Sequence, residues 1–589
     1  MLPLLSIKNL YISFNYDGQS TTAVNNISIN IEKGKTLALV GESGSGKSVT
    51  ALSVLKLLPE HTVVKGDILF SPDGREQINL DKIAQKDISK IRGNKIAMIF
   101  QEPMTSLNPV LTCGWQVMET LITHQKISKK QAREKTIELF TQVELPDPAA
   151  IVDRYPHQIS GGQKQRVMIA MAISCNPDLL IADEPTTALD VRVQKSILDL
   201  IKKIQLKNNL AVLLITHDLG LVADVADELA VMFKGEIVEQ GNAAGILSDP
   251  KHNYTKALLA CRPAANAKGK KLFVLNDFIS NLLPSEEIKN SKLKTCLPVG
   301  KVKNSEVQIA DSSRLFAGPI PETPASILAV QNLKVYFPSA KNFFGKTISW
   351  FKAVDDVSFE IKENETIGLV GESGCGKTTL ARTILQLIKP TSGKILLKGK
   401  DISNISAAAL RDERKDLQIV FQDPYGSLNP RLSIGEAIME PLKVHHLYNN
   451  RTERKEKIIS LLEQVQLNAD HYKRYPHQFS GGQRQRICIA RALALQPSFL
   501  LFDESVSALD VSVQAQVLNL INELKSTFNF TSIFISHDLA VVHYISDRIL
   551  VMAHGKIVES GDADQIYFDP KNEYTKKLIA AIPGKNLMI

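Results

Sequence analysis

Residues 41–48 read GESGSGKS and residues 371–378 read GESGCGKT, and each stretch directly follows a short apolar run, TLALV or TIGLV. A glycine-rich loop of this spacing serves one bound phosphate group, so two of them in one chain demand a duplicated fold. The duplication runs well beyond the loops. YPHQISGGQKQR ends at 166 and YPHQFSGGQRQR at 486, LLIADE at 184 and LLFDE at 504, ITHD at 218 and ISHD at 538, every pair 320 positions apart. YTKALLA and YTKKLIA begin at 254 and 574 and keep that register. Self-similarity over so long a stretch implies two homologous domains. The glycine loops themselves lie 330 apart (Lys47 and Lys377), so an insertion follows Lys47 in the first copy; it is expected near SPDGREQINL, in a surface loop.

The two copies are expected at 1–263 and 326–589, a size that suits one large domain or two closely packed subdomains each. Residues 264–325 have no counterpart and contain Pro284, Pro298, Pro319, Pro321 and Pro324, which reads as a linker with at most one short helix around LFVLNDFISNLL.

Within each copy the glycine loop stands between a β-rich apolar run and a stretch with helical apolar spacing, SVTALSVLKLL or TTLARTILQLI. DLLIADE, FLLFDE, AVLLITHD and TSIFISHD are apolar almost throughout before ending in polar residues, as central parallel strands covered on both faces do. The expected fold is therefore α/β, with a parallel sheet flanked by helices and its chemistry at the strand C-termini.

The spacing GxxxxGK[ST] carries specific chemistry. Gly41, Gly44 and Gly46, like Gly371, Gly374 and Gly376, let backbone N–H groups converge on phosphate oxygens at a helix N-terminus. Glu42, Ser43 and Ser45, with Glu372, Ser373 and Cys375, complete the two loops. Lys47 and Lys377 bring positive charge to the β- and γ-phosphates, Ser48 and Thr378 place a hydroxyl where Mg²⁺ would lie, and Asp183 and Asp503 hold that ion through its water shell. One residue on, Glu184 and Glu504 can orient or deprotonate the attacking water, and His217 and His537 can contact the γ-phosphate. Gln101 and Gln422, in IFQEP and VFQDP, can bond the metal or the water. Cys375 sits at a helix N-terminus beside Lys377, a setting expected to lower its thiol pKa.

SGGQ at 160–163 (Ser160, Gly161, Gly162, Gln163) and 480–483 (Ser480, Gly481, Gly482, Gln483), followed by the acidic strand ends, TALD, SALD and the histidines, resembles the ATP-binding cassette of transport ATPases, twice over. The resemblance covers nearly everything except the linker. It implies in each half a RecA-like, mainly parallel core with an antiparallel β subdomain and a helical subdomain. It also implies that ATP is sandwiched head to tail, Lys47 working with Ser480 and Lys377 with Ser160, and that Asp190 and Asp510 reach across the interface. Phe14 and Phe337 are the expected adenine-stacking residues, with Tyr16 competing in the first copy.

QEPMTSLNP, QDPYGSLNP and the YPHQ segments are similar to the two ATPase subunits of oligopeptide, dipeptide, glutathione and nickel importers, here joined in one chain. The resemblance implies ATP and Mg²⁺ as ligands, two integral-membrane permease partners gripped through 104–107 and 425–428, an extracytoplasmic substrate-binding protein, and a peripheral place on the cytoplasmic face of the inner membrane. The alternative is a twin-cassette ATPase acting on ribosomes or DNA. The linker lacks a long charged helical arm and the chain lacks heptads or paired cysteines, so no nucleic-acid partner is expected.

Composition sets the remaining limits. The 70 basic and 62 acidic residues leave +8 without a basic block, which suits a mixed solvated surface. The six cysteines form no CxxC pair, which fits a reducing compartment, and the two available where relatives of the first half carry a cysteine cluster, Cys261 and Cys296, are too few for an iron–sulfur cluster. No apolar run approaches the roughly 18 residues of a membrane span. MLPLLSIKNLYISF lacks the features of a signal peptide, so a cytoplasmic chain is expected. Two differences between the copies, Ser505 for Pro185 and Ser512 for Arg192, are expected to leave the phosphate chemistry untouched.

Overall fold

The computed structural model describes residues 2–16, 19–101, 106–186, 189–263, 268–275, 326–341, 347–507 and 509–582. Each half is built on a six-stranded sheet. In the first, the order is Glu236–Asn242, Glu228–Phe233, Thr36–Val40, Ala211–Thr216, Leu179–Asp183 and Ile96–Ile99; in the second it is Lys556–Asp562, Arg548–Ala553, Thr366–Val370, Thr531–Ile535, Phe499–Asp503 and Leu417–Val420. All pairings are parallel except those of the outermost strands Glu236–Asn242 and Lys556–Asp562. Every residue of Thr36–Val40, Leu179–Asp183, Ala211–Thr216 and their second-half equivalents is buried, which is why those runs carry no polar alternation.

A four-stranded antiparallel sheet packs beside each core, led by the hairpins Leu5–Tyr16/Gln19–Ile31 and Ser326–Lys341/Thr347–Lys362. Half of the ten extra residues of the first copy fall in one hairpin of this sheet. Seven residues join Phe70 to Ile78, where two join Leu397 to Lys400. A helical layer completes each half: Cys113–Gln125, Lys129–Gln142 and Gly161–Ile173 in the first, Ile434–Val444, Arg451–Gln464 and Gly481–Leu493 in the second. Among the described residues, no helix is long and apolar enough to cross a membrane.

The chain beyond the first half does not simply hang between the two. Leu272 exchanges hydrogen bonds with Asn519, its N–H donating to Oδ1 at 2.9 Å and its carbonyl accepting from Nδ2 at 2.8 Å, and the Tyr544 hydroxyl donates to the Lys270 carbonyl at 2.9 Å. Cys261 and Leu272 are buried in the second half's core, whereas Leu275 is buried in the first half's. A segment from the expected linker thus ties the halves together. Most of 264–325, including Cys296, lies outside the described residues.

Candidate functional site

Both glycine loops run from the end of a buried strand into a helix, Lys47–Val54 or Lys377–Ile384. The residue before each helix must be glycine. Gly46 and Gly376 have φ of 104° and 112°, and a Cβ there would fall 2.5 Å from the Ala23 carbonyl or 2.1 Å from that of Ala353. The lysine that follows is buried and turned back over its own loop. Lys47 Nζ donates to the carbonyls of Gly41 at 2.8 Å and Glu42 at 2.7 Å, and Lys377 Nζ to those of Gly371 at 2.8 Å and Glu372 at 3.0 Å. Burial lowers the Lys47 pKa, opposed by Asp510, Glu184, Asp183 and Glu42.

The neighbouring strand ends bring three side chains together in each half. Gln101 Nε2 donates to Glu184 at 3.0 Å, and His217 Nδ1 lies 3.1 Å from the same carboxylate. In the second half, Gln422 Nε2 donates to Glu504 at 3.0 Å, and His537 Nδ1 is 3.9 Å from it. Glu184 and Glu504 both hold φ near 47°, a left-handed conformation costing a side-chain-bearing residue on the order of 1–3 kcal/mol. Each is secured by its N–H, which donates to the carbonyl of Ile215 or Ile535 on the adjacent strand. Strain repeated at the same position of both copies marks the place where side-chain aim matters more than local stability.

Electrostatics differ between the triads. Burial pulls the His217 imidazole towards neutrality, but its hydrogen bond to Glu184 and the charges of Glu184, Asp510 and Asp218 outweigh that, so its pKa is raised. Glu504 is held below the usual range by the neighbouring His537 ring, against burial.

Burial pushes the Asp183 and Asp503 carboxyls up. Ser48 Oγ donates to Asp183 Oδ1 at 3.1 Å, while Asp503 Oδ1 is buried with no partner among the described residues. An orphaned, desolvated carboxylate oxygen next to a second acid fits a divalent cation. Ser48, Thr378, Asp183, Asp503, Gln101 and Gln422 are all oxygen donors of the kind Mg²⁺ takes.

Ser160 and Ser480 stand exposed as the N-caps of 13-residue helices. Each hydroxyl oxygen accepts from the N–H of Gln163 or Gln483, and each glutamine side chain closes the capping box. The hydroxyl hydrogens remain available to an anion, as do the N–H groups of the two glycines that follow each serine.

The halves meet through these same parts. Asp510 accepts from the Ser43 N–H of the opposite loop at 3.1 Å, and Ser512 Oγ bonds to the Glu42 carboxylate. From the other side Arg192 pairs with Glu372, and Lys195 Nζ donates to the Ala580 carbonyl at 3.4 Å. Asp190 instead caps its own helix, accepting from the Val193 N–H at 3.0 Å. The sequence difference at Arg192 and Ser512 therefore does touch the phosphate loops, contrary to expectation: each is the second residue of its helix, in a first turn that meets the opposite half.

One further expectation changes on burial grounds. Cys375 is 8% exposed, and burial raises its pKa more than Lys377 lowers it, so it is a packed thiol and not an activated one. Phe14 is half-buried and packs on the first half's core, whereas Phe337 is 39% exposed and faces Phe351 across its hairpin. The side chain of Tyr16 and residues 104 and 105 lie outside the described set.

Two site residues escaped the sequence reading. The Tyr254 and Tyr574 hydroxyls accept from the N–H groups of Glu42 and Glu372, both at 3.1 Å, and so buttress the phosphate loops from the C-terminal helices. Their signal was the paired YTK, 320 residues apart, which served only to set the register.

A duplicated phosphate loop with a buried aspartate and a glutamate side by side at the neighbouring strand end defines a twin nucleoside-triphosphatase. Residues 24–187 and 354–507 match the ABC transporter family, and 238–278 and 558–586 match the oligopeptide/dipeptide transporter C-terminal region. The glutathione import ATP-binding protein GsiA of Pectobacterium atrosepticum is 44% identical over 589 residues, covering 99% of this chain and 90% of that protein. The proteins of the same name from Salmonella choleraesuis and Escherichia coli K12 are 45% and 44% identical over 583 residues, 98% of this chain and 89% of theirs. The chain belongs to the ABC transporter ATP-binding family, and is an ATPase coupled to transport with two cassettes in one polypeptide.

Proposed function

We propose that the chain energises a glutathione or short-peptide importer by binding two ATP molecules between its cassettes. The Lys47 loop faces the SGGQ turn of Ser480 in the first site, and the Lys377 loop faces that of Ser160 in the second. The contact that carries this reading is the Ser43 N–H to Asp510 hydrogen bond, in which a phosphate loop of one cassette is already held by the segment following the other's SGGQ helix and acidic strand.

In this reading the glycine-loop N–H groups and the lysine hold the β- and γ-phosphates. Mg²⁺, held by Ser48, Asp183 and Gln101 or by Thr378, Asp503 and Gln422, would supply neutralising charge to the phosphate oxygens. Glu184 and Glu504 orient the attacking water and accept its proton. His217 and His537 hold those carboxylates in place and face the γ-phosphate. Each SGGQ turn closes over that phosphate from the far side, so hydrolysis requires the cassettes together and product release lets them part. Phe337 and, from its half-buried position, Phe14 are the adenine contacts.

Two integral-membrane permeases would be gripped through the helical layers, where Tyr425 is 57% exposed, with a substrate-binding protein beyond the membrane. The chain then sits peripherally on the cytoplasmic face. Glutathione is favoured among the cargoes by the names of relatives spanning nearly the whole chain; nothing observed favours a ribosomal or DNA-bound role. The test is uptake of labelled glutathione by cells carrying this chain with its permeases and binding protein. Loss of uptake in the Glu184→Gln/Glu504→Gln chain, and competition by glutathione above dipeptides, is the expected result. Uptake of dipeptides alone would move the cargo, and uptake indifferent to the double substitution would remove the role.

A further inference from the structure

The two loop glutamates, Glu42 and Glu372, occupy equivalent places but meet different partners. Each donates its N–H to a tyrosine of its own cassette and turns its carboxylate towards the opposite one. Glu42 meets the neutral hydroxyl of Ser512, a residue 2% exposed. Glu372 meets the guanidinium of Arg192, and these two side chains are 33% and 41% exposed. Arg192 is the second residue of its helix, two positions after the N-cap Asp190, so anchoring its side chain fixes where that segment lies against the second loop.

We propose that Arg192 is a positioning residue for the second nucleotide site: by its ion pair with Glu372 it latches the second phosphate loop to the first cassette, giving that site an ionic clasp that, among the described residues, the first site lacks. The inference rests on the head-to-tail reading above and goes beyond it by making the two sites unequal. A solvated ion pair is screened by salt, and a buried hydroxyl–carboxylate hydrogen bond much less so. Closure at the second site is therefore the salt-sensitive one. Arg192 acts through its pair with Glu372, so its removal weakens nucleotide capture without altering the reacting groups.

The test uses the full chain with one site silenced. At ATP concentrations near the parent dissociation constant, Lys47→Ala chains load chiefly the second site, and Lys377→Ala chains chiefly the first. Adding Arg192→Ser to the former should raise the ATP dissociation constant about two- to five-fold at low salt, the range of an exposed ion pair. That difference should shrink towards none at about 1 M salt, and Arg192→Lys should restore most of the affinity. Added to Lys377→Ala, Arg192→Ser should change nothing. An unchanged constant in the first background, an equal change in both, or a change indifferent to salt would overturn the latch. Ser160→Glu in the Lys47→Ala background separates the two readings. If it leaves ATP binding and closure intact, the head-to-tail arrangement fails; if it abolishes closure while Arg192→Ser has no effect, only the latch fails.

Discussion

The two nucleotide sites use the same residues in the same order, yet what enters each from the opposite cassette is not the same. At the first loop Asp510 bonds the Ser43 N–H and Ser512 meets Glu42; at the second, Asp190 stays on its own helix cap and Arg192 meets Glu372. The histidines differ in step, with His217 at 3.1 Å from its glutamate and His537 at 3.9 Å. Duplication preserved the groups that would handle phosphate and let the groups that set their approach diverge. The lesson is that equality of motif does not imply equality of site.

The comparison is broken most severely at the glutamates. Glu184→Gln and Glu504→Gln together should reduce ATP turnover by roughly 10²–10⁴-fold, the usual contribution of a positioned base, and trap an ATP-bound closed state. The two single substitutions, assayed side by side for residual turnover, show how far one site depends on the other. Normal turnover in the double variant would refute the role.

Next come the lysines. Lys47→Ala and Lys377→Ala each remove a charged donor, and each should weaken Mg·ATP binding at its own loop by about 10- to 100-fold, measurable by titration calorimetry. Loss of both binding events from either single change would mean that the sites are not separately assembled.

Smaller effects are expected at the buttresses. Tyr254→Phe and Tyr574→Phe each leave a loop N–H without its acceptor, about 1 kcal/mol or a five-fold weakening of nucleotide affinity at the matching site. Equal affinity in both variants and parent would show that water replaces the hydroxyl at no penalty.

The gentlest distinction is in pH. The raised pKa of His217 means that its pairing with Glu184 contributes stability that is fully present below the ordinary 6.5 and lost as pH rises through the higher folded value. The lowered pKa of Glu504 gives a contribution present above the ordinary 4.5 and lost as pH falls through the folded value. Melting temperature against pH should therefore lose its advantage over His217→Gln on the alkaline side and over Glu504→Gln on the acid side. Parallel curves in both cases would remove the electrostatic difference between the triads.

Much of this was legible in the residues alone. Contiguous apolar runs ending in LLIADE or ITHD admit little except buried parallel strands, and a glycine loop between strand and helix fixes its own geometry through Gly46 and Gly376. What stayed hidden depends on burial or distant partners. Cys375 has the neighbours of an activated thiol, but the low-dielectric packing that reverses its shift exists only in the folded chain. Tyr254 and Tyr574 act on backbone N–H groups 212 and 202 positions away, which no local pattern encodes. The tie of Leu272 to Asn519 was illegible because the repeat offers no guide: the residue 320 positions before Asn519 is Asp199, whose carboxylate cannot reproduce the amide's donor to the Leu272 carbonyl.

The most direct measurement is a structure of the Glu184→Gln/Glu504→Gln chain with Mg·ATP. The account requires Ser480 Oγ within about 3 Å of the γ-phosphate held by Lys47, and Ser160 Oγ equally close to the one held by Lys377. Either triphosphate touched by a single cassette, with the opposite SGGQ turn out of reach, would contradict it.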